Sequence, residues 1–127
     1  MSKIRCKCGH SIVDQSNNLP YKAYFFRDLD TENYHDYIDE ISSFIESIKN
    51  NTRDEWITNY FPGAYPLDEP DAIVISDIIE SKQRKFISEM YQCENCGRLL
   101  IQKGNENIFP VFKPEEEDSN NLFNRIN

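Results

Sequence analysis

The chain has 127 residues, with 22 acidic against 14 basic and a formal net charge of -8. That sign opposes the counterion release on which nucleic-acid binders rely; it suits an encounter with a basic protein, and solubility alone explains it equally well. Aromatics make up 13% of the residues, which argues against disorder, and the longest aliphatic run, Ala72-Ile73-Val74-Ile75, is far too short to span a bilayer.

Residues 3–13 read as a hairpin around a cysteine knuckle, with Ile4 before it and Ile12-Val13 after it. The knuckle is Cys6-Lys7-Cys8-Gly9, followed by His10. A polar turn, Asp14 to Asn18, leads to an aromatic-rich strand over Tyr21–Phe26. Asp30 or Thr31 suits the N-cap of an amphipathic helix over 31–49. Its apolar positions Tyr34, Tyr37, Ile38, Ile41, Phe44, Ile45 and Ile48 recur at three- and four-residue steps. Opposite them fall Glu32, Asp36, Asp39, Ser43 and Glu46. Like charges at these spacings repel, and only those near the start of the helix complement its dipole. A basic partner explains the whole acidic stripe; a plain solvated face explains it too.

Arg53–Tyr60 reads as a short second helix presenting Trp56, Ile57 and Tyr60. The turn-forming stretch 60–66 carries Tyr60, Phe61 and Tyr65, which are expected to fold back on the core rather than anchor a partner. Asp71–Ser81 fits neither period cleanly and is assigned to helix after Pro70. Lys82-Gln83-Arg84-Lys85 is the only basic cluster and reads as a turn. A strand over Phe86–Gln92 leads into a second knuckle, Cys93-Glu94-Asn95-Cys96-Gly97, and Arg98–Ile101 leaves as its hairpin mate. Ile108–Phe112 is a final extended segment. The expected organisation is one domain over 1–114 and a mobile polar tail over 115–127, which Leu122, Phe123 and Ile126 can dock.

Cys6, Cys8, Cys93 and Cys96 form two pairs, a thiolate set suited to one structural zinc. Glycine after each pair reaches the positive φ that a tight turn around a metal needs. The first pair is C-x-C rather than C-x-x-C, and His10 is close enough to replace Cys6 or Cys8. Four thiolates suit iron as well. The alternatives are two disulfides or four free thiols. A Cys6–Cys8 bond would be strained, and long-range bonds need an oxidising compartment. Met1–Arg5 offers no apolar leader segment, so a cytoplasmic location is expected.

Chemistry beyond the cysteines is sparse. The sequence has no G-x-S-x-G elbow, P-loop, dinucleotide fingerprint, H-E-x-x-H or deaminase H-x-E. With only His10 and His35, no nucleophile–base set assembles, and a four-thiolate metal has no open position for water. A non-enzymatic protein is expected.

A small acidic chain with Cys6-x-Cys8-Gly9 near one end and Met90-Tyr91-Gln92-Cys93-x-x-Cys96-Gly97-Arg98-Leu99 near the other resembles zinc-ribbon-bearing bacterial immunity proteins. These are antidotes encoded beside polymorphic toxins, contact-dependent growth inhibition toxins among them. The resemblance covers the knuckles, the size and the charge. It implies that the chain binds a cognate toxin in the cytoplasm, often a basic nuclease, and occludes it without catalytic residues. The resulting expectation is an α+β fold: a small antiparallel zinc-ribbon-like sheet built from both chain ends, with an inserted helical segment. Cys6, Cys8, Cys93 and Cys96 would hold a structural Zn2+. Glu32, Asp36, Asp39 and Glu46 would meet the toxin, with no direct nucleic-acid or membrane partner. One alternative is a zinc-ribbon adaptor or regulator that binds transcription or translation machinery. Another is an unrecognised hydrolase using His35.

Overall fold

In the computed structural model, which describes residues 3–125, the architecture is α+β, as expected. The chain gathers into two compact units. One combines the residues up to Phe26 with those from Ile87 onward; the other is the insertion Arg27–Phe86. Where the sequence reading draws one domain over 1–114 and a separate tail, the structure groups both chain ends, tail included, in one unit.

In the first unit, β1 (Lys3–Arg5) and β2 (Ser11–Val13) form the expected antiparallel hairpin, with Ile4 opposite Ile12. A separate sheet contains β3 (Lys22–Phe25), β4 (Ser88–Gln92), β5 (Leu99–Ile101) and β6 (Val111–Phe112), antiparallel and in that spatial order. The predicted strands are thus present but are split between two sheets. Cys6, Ile12, Tyr91, Cys93 and Leu100 form the core, with Ile4, Tyr21, Phe109 and Val111 packed on it. Tyr91 and Leu100 are cross-strand partners, so they share a face. Gln92, one residue on, points to the opposite face by the period of a strand.

That opposite face shows how the polar C-terminal segment is docked. The segment after Glu115 folds back toward the second knuckle. Gln92 is only 4% exposed, and its Nε2 donates to the carbonyls of Gly97 and Ser119 while its Oε1 accepts from the Leu122 amide. A polar composition predicts a mobile tail, but one buried amide side chain supplies both a donor and an acceptor to its backbone. Ile126 lies outside the described residues.

The insertion begins with a single 3-10 turn (Asp28–Asp30) and a four-residue α1 (Thr31–Tyr34). It continues through α2 (Ile38–Lys49), α3 (Arg53–Tyr60) and α4 (Asp71–Gln83). Phe44, Ile57, Val74 and Ile78 are its buried core. The aromatics fold onto that core as expected: Trp56 stacks on Tyr60 at 4.6 Å and Phe61 on Tyr65 at 4.0 Å. Arg53 pins the following loop, donating to Asp71 Oδ1 at 2.8 Å and to the Leu67 carbonyl at 2.7 Å.

The single helix expected over 31–49 is broken. His35 and Tyr37 leave helical geometry, at φ -98°, ψ 3° and φ -130°, ψ 0°. Helices in proteins persist chiefly where packing rewards them, and α1 buries no residue whereas α2 buries Phe44 and Ser47. Asp30 sits at the N-cap of α1, but its carboxylate takes two hydrogen bonds from Arg27 instead of capping. Tyr37, Ile41 and Ile48 pack beside Phe44, while Ile38 and Ile45 face solvent. Lys82 and Gln83, expected in a turn, close α4; Lys82 pairs with Glu40 at 2.7 Å. Among the described residues no helix is long and apolar enough to cross a membrane.

Candidate metal centre

The two knuckles close by the same pair of backbone bonds despite their different lengths. In the first, the Gly9 amide donates to the Cys6 carbonyl at 3.0 Å and the Cys6 amide to the His10 carbonyl at 2.9 Å. In the second, Gly97 donates to Cys93 at 2.9 Å and Cys93 to Arg98 at 2.8 Å. The C-x-C pair is therefore a knuckle shortened by one residue. Both glycines occupy positive φ, at 96° and 78°. Gly97 is further constrained because a Cβ there would lie 2.9 Å from Asn120 Oδ1.

These turns bring Cys6, Cys8, Cys93 and Cys96 together as predicted, with all four sulfurs within 4.8 Å of one another. Cys6 Sγ lies 3.5 Å from Cys96 Sγ, and Cys8 Sγ 3.6 Å from Cys93 Sγ. A disulfide requires about 2.05 Å, so these are free cysteines. Four sulfurs around a tetrahedral ion with bonds of about 2.3 Å stand about 3.8 Å apart, a spacing close to that found here. The cluster can hold a metal ion. His10 contributes its backbone carbonyl to the knuckle and is not among the clustered ligands.

The four sulfurs differ in surroundings. Cys6 and Cys93 are buried, Cys96 is half-buried and Cys8 is exposed. Hydrogen bonding from the Asn95 side chain, then from the His10 backbone, pulls the Cys8 thiol down to about 6. Burial pushes the Cys93 thiol up to about 12, and Cys6 also lies above its ordinary value through burial. Burial also acts to raise Cys96, but the Arg98 backbone and guanidinium outweigh it and the thiol lies low. Asn95 Nδ2 and Arg98 Nη1 each approach a sulfur at 3.4 Å. Such donors orient ligands and spread the charge that four thiolates concentrate. Both lie in or beside the second knuckle, yet residue type alone did not mark them.

A second polar cluster was not anticipated. Lys22 Nζ lies 2.6 Å from Asp14 Oδ2 and 3.6 Å from Glu89 Oε1, and the Tyr91 hydroxyl donates to Asp14 at 2.5 Å. The Lys22 and Asp14 side chains are mostly buried, so the cluster ties β3 and β4 to the segment leaving β2.

The acidic candidates do not lie along one helix. Glu32 is on α1, Asp36 in the break, and Asp39 and Glu46 on α2; all four are exposed. The wider distribution of charge is more uneven than a stripe. Residues 27–86 carry 14 of the 22 acidic and 6 of the 14 basic residues, which accounts for the whole net charge of -8. The other unit is balanced at eight and eight.

A family model described as a domain of unknown function, DUF8617, matches residues 2–116. No curated protein and no solved structure matches the chain.

Proposed function

The chain belongs to the DUF8617 family, and for this member we propose an immunity function: binding and neutralising a basic bacterial toxin domain, a nuclease in the first instance, by steric and electrostatic occlusion. The observation that carries this reading is the segregation of charge. A charge-balanced unit carries an insertion with the entire net charge of -8. Such an insertion attracts a basic partner, speeds the encounter and competes with a phosphate backbone for the same cleft. Glu32, Asp36, Asp39 and Glu46 are the proposed contacts.

The metal in this reading is a structural Zn2+ held by Cys6, Cys8, Cys93 and Cys96. Four protein ligands leave it no open position, so it clips the chain ends and does no chemistry on a substrate. Thiolate ligands favour a reducing compartment, and we place the protein in the cytoplasm. The four-cysteine knuckle pair also favours a second reading, an adaptor on transcription or translation machinery. Against it, the charge disfavours any direct contact with nucleic acid.

The test is affinity capture of the tagged chain from its native cells with bound metal measured on the same sample, followed by co-expression of the chain with any basic domain captured and a count of surviving cells. A stoichiometric complex, restored growth and one zinc per chain are expected. Recovery of polymerase or ribosomal subunits instead, with no protection, would replace immunity by the adaptor reading.

A further inference from the structure

One side of α2 carries two large apolar side chains that lie outside the buried core. Ile38 is 62% and Ile45 40% exposed, whereas Phe44 of the same helix is fully buried. At about 100° per residue, positions seven apart fall within about 20° of each other, roughly 10 Å along the axis. Ile38 and Ile45 therefore form one rail, and Asp39 and Glu46, each one residue further on, form a second rail beside it. Neither carboxylate is in an ion pair among the described residues, whereas Glu40, on the packed side, is paired with Lys82. The two isoleucines are branched side chains, which slightly weaken a helix, and they stand beside two carboxylates outside any ion pair among the described residues.

We infer that this face of α2 is the docking surface, with Ile38 and Ile45 as apolar anchors and Asp39 and Glu46 as the acidic border. The occupant is a basic protein domain that presents an apolar patch flanked by lysine or arginine. Charge decides among occupants. The net charge of the insertion repels a second copy of itself, nucleic acid and anionic lipid, and attracts a basic protein. This rests on the immunity reading and narrows it: Glu32 and Asp36, outside α2, contribute steering only. Anchors desolvated at the centre of an interface slow dissociation, and bordering charges speed association.

The test uses the full chain and the basic protein domain it captures from its native cells, with association and dissociation rates followed by surface plasmon resonance at low and high salt. Ile38→Ser/Ile45→Ser is expected to raise the dissociation rate about tenfold or more, the range of an interfacial hot spot. Asp39→Asn/Glu46→Gln should slow association roughly tenfold at low salt. Asp54→Asn/Glu55→Gln, with the same charge change in the first turn of α3, should alter either rate less than about twofold. Thermal melts check that each variant is folded. Wild-type binding with dissociation unchanged by the isoleucine pair, or with association slowed equally by the α3 pair, overturns the assigned face and leaves the immunity reading intact. Absence of wild-type binding removes both.

Discussion

Replacing Gln92 with leucine should release the C-terminal segment. The glutamine amide satisfies the Gly97 and Ser119 carbonyls and the Leu122 amide, and leucine fills similar space with no polar atom. If the segment stayed in place, three backbone groups would lose their partners, at about 1 to 3 kcal/mol each. If it lifted away, Ser119 and Leu122 would regain water, and the loss would be the net value of the bonds, about 2 to 3 kcal/mol in all. The second route costs less, so detachment is the expected response. Urea unfolding should show that loss of stability. Hydrogen exchange should show the Leu122 amide nearly unprotected while the Cys93 amide, bonded to Arg98 within the knuckle, stays protected. A Leu122 amide as protected as in the wild type, or a stability change under about 0.5 kcal/mol, would refute the clamp.

Three further outcomes follow from particular contacts. Asp14→Asn should cost about 2 to 3 kcal/mol in urea unfolding, because it leaves the Lys22 ammonium without its closest partner. Burial acts to raise the Asp14 carboxyl, but hydrogen bonds from Lys22 and Tyr91 outweigh this and hold it below the ordinary range. Its contribution is therefore present above the unfolded value of about 3.9 and lost as pH falls through the lower folded one. Asp14→Asn should remove that acid limb, and an unchanged pH profile would count against the cluster. Gly97→Ala should destabilise more than Gly104→Ala, since both glycines have positive φ but only the first would press a Cβ against Asn120; equal losses in thermal melts would contradict this. Chelation of the metal proposed for the four cysteines should abolish exchange protection around both knuckles while the circular-dichroism signal of α2, α3 and α4 persists, because the insertion has its own core. Collapse of the helical signal at the same chelator concentration would show that the insertion depends on the metal.

The parts legible in the sequence were those decided locally. Each knuckle is set by a few residues, with a glycine where positive φ is required, so the flanking strands and the four-sulfur cluster followed from the motif. α3 was readable from the apolar residues Trp56, Ile57 and Tyr60, whereas the segment after Pro70 fitted neither period cleanly and its assignment to helix leaned on the proline alone. The break at residues 35–37 was not, because periodicity continues through it; the packing of Tyr37 and Ile41 and the diversion of Asp30 to Arg27 decide it. Seven apolar positions at helical spacing also concealed that two face outward. The Asp14–Lys22–Tyr91 cluster joins residues up to 77 positions apart, and the clamp on the tail reaches 27 and 30 positions from Gln92. No short-range pattern encodes such pairings.

The pairing of Phe25 with Ser88 makes the insertion a replaceable cassette. Paired strands run about 5 Å apart, so the chain departs and returns through neighbouring points on the same sheet. A tight turn joining Phe26 to Ile87 would close β3 and β4 into an ordinary hairpin, and a different helical segment grafted at the same two points would leave the cysteine frame undisturbed. The helical segment can then vary at one address while the frame stays fixed, in the manner of a variable loop carried on a constant scaffold.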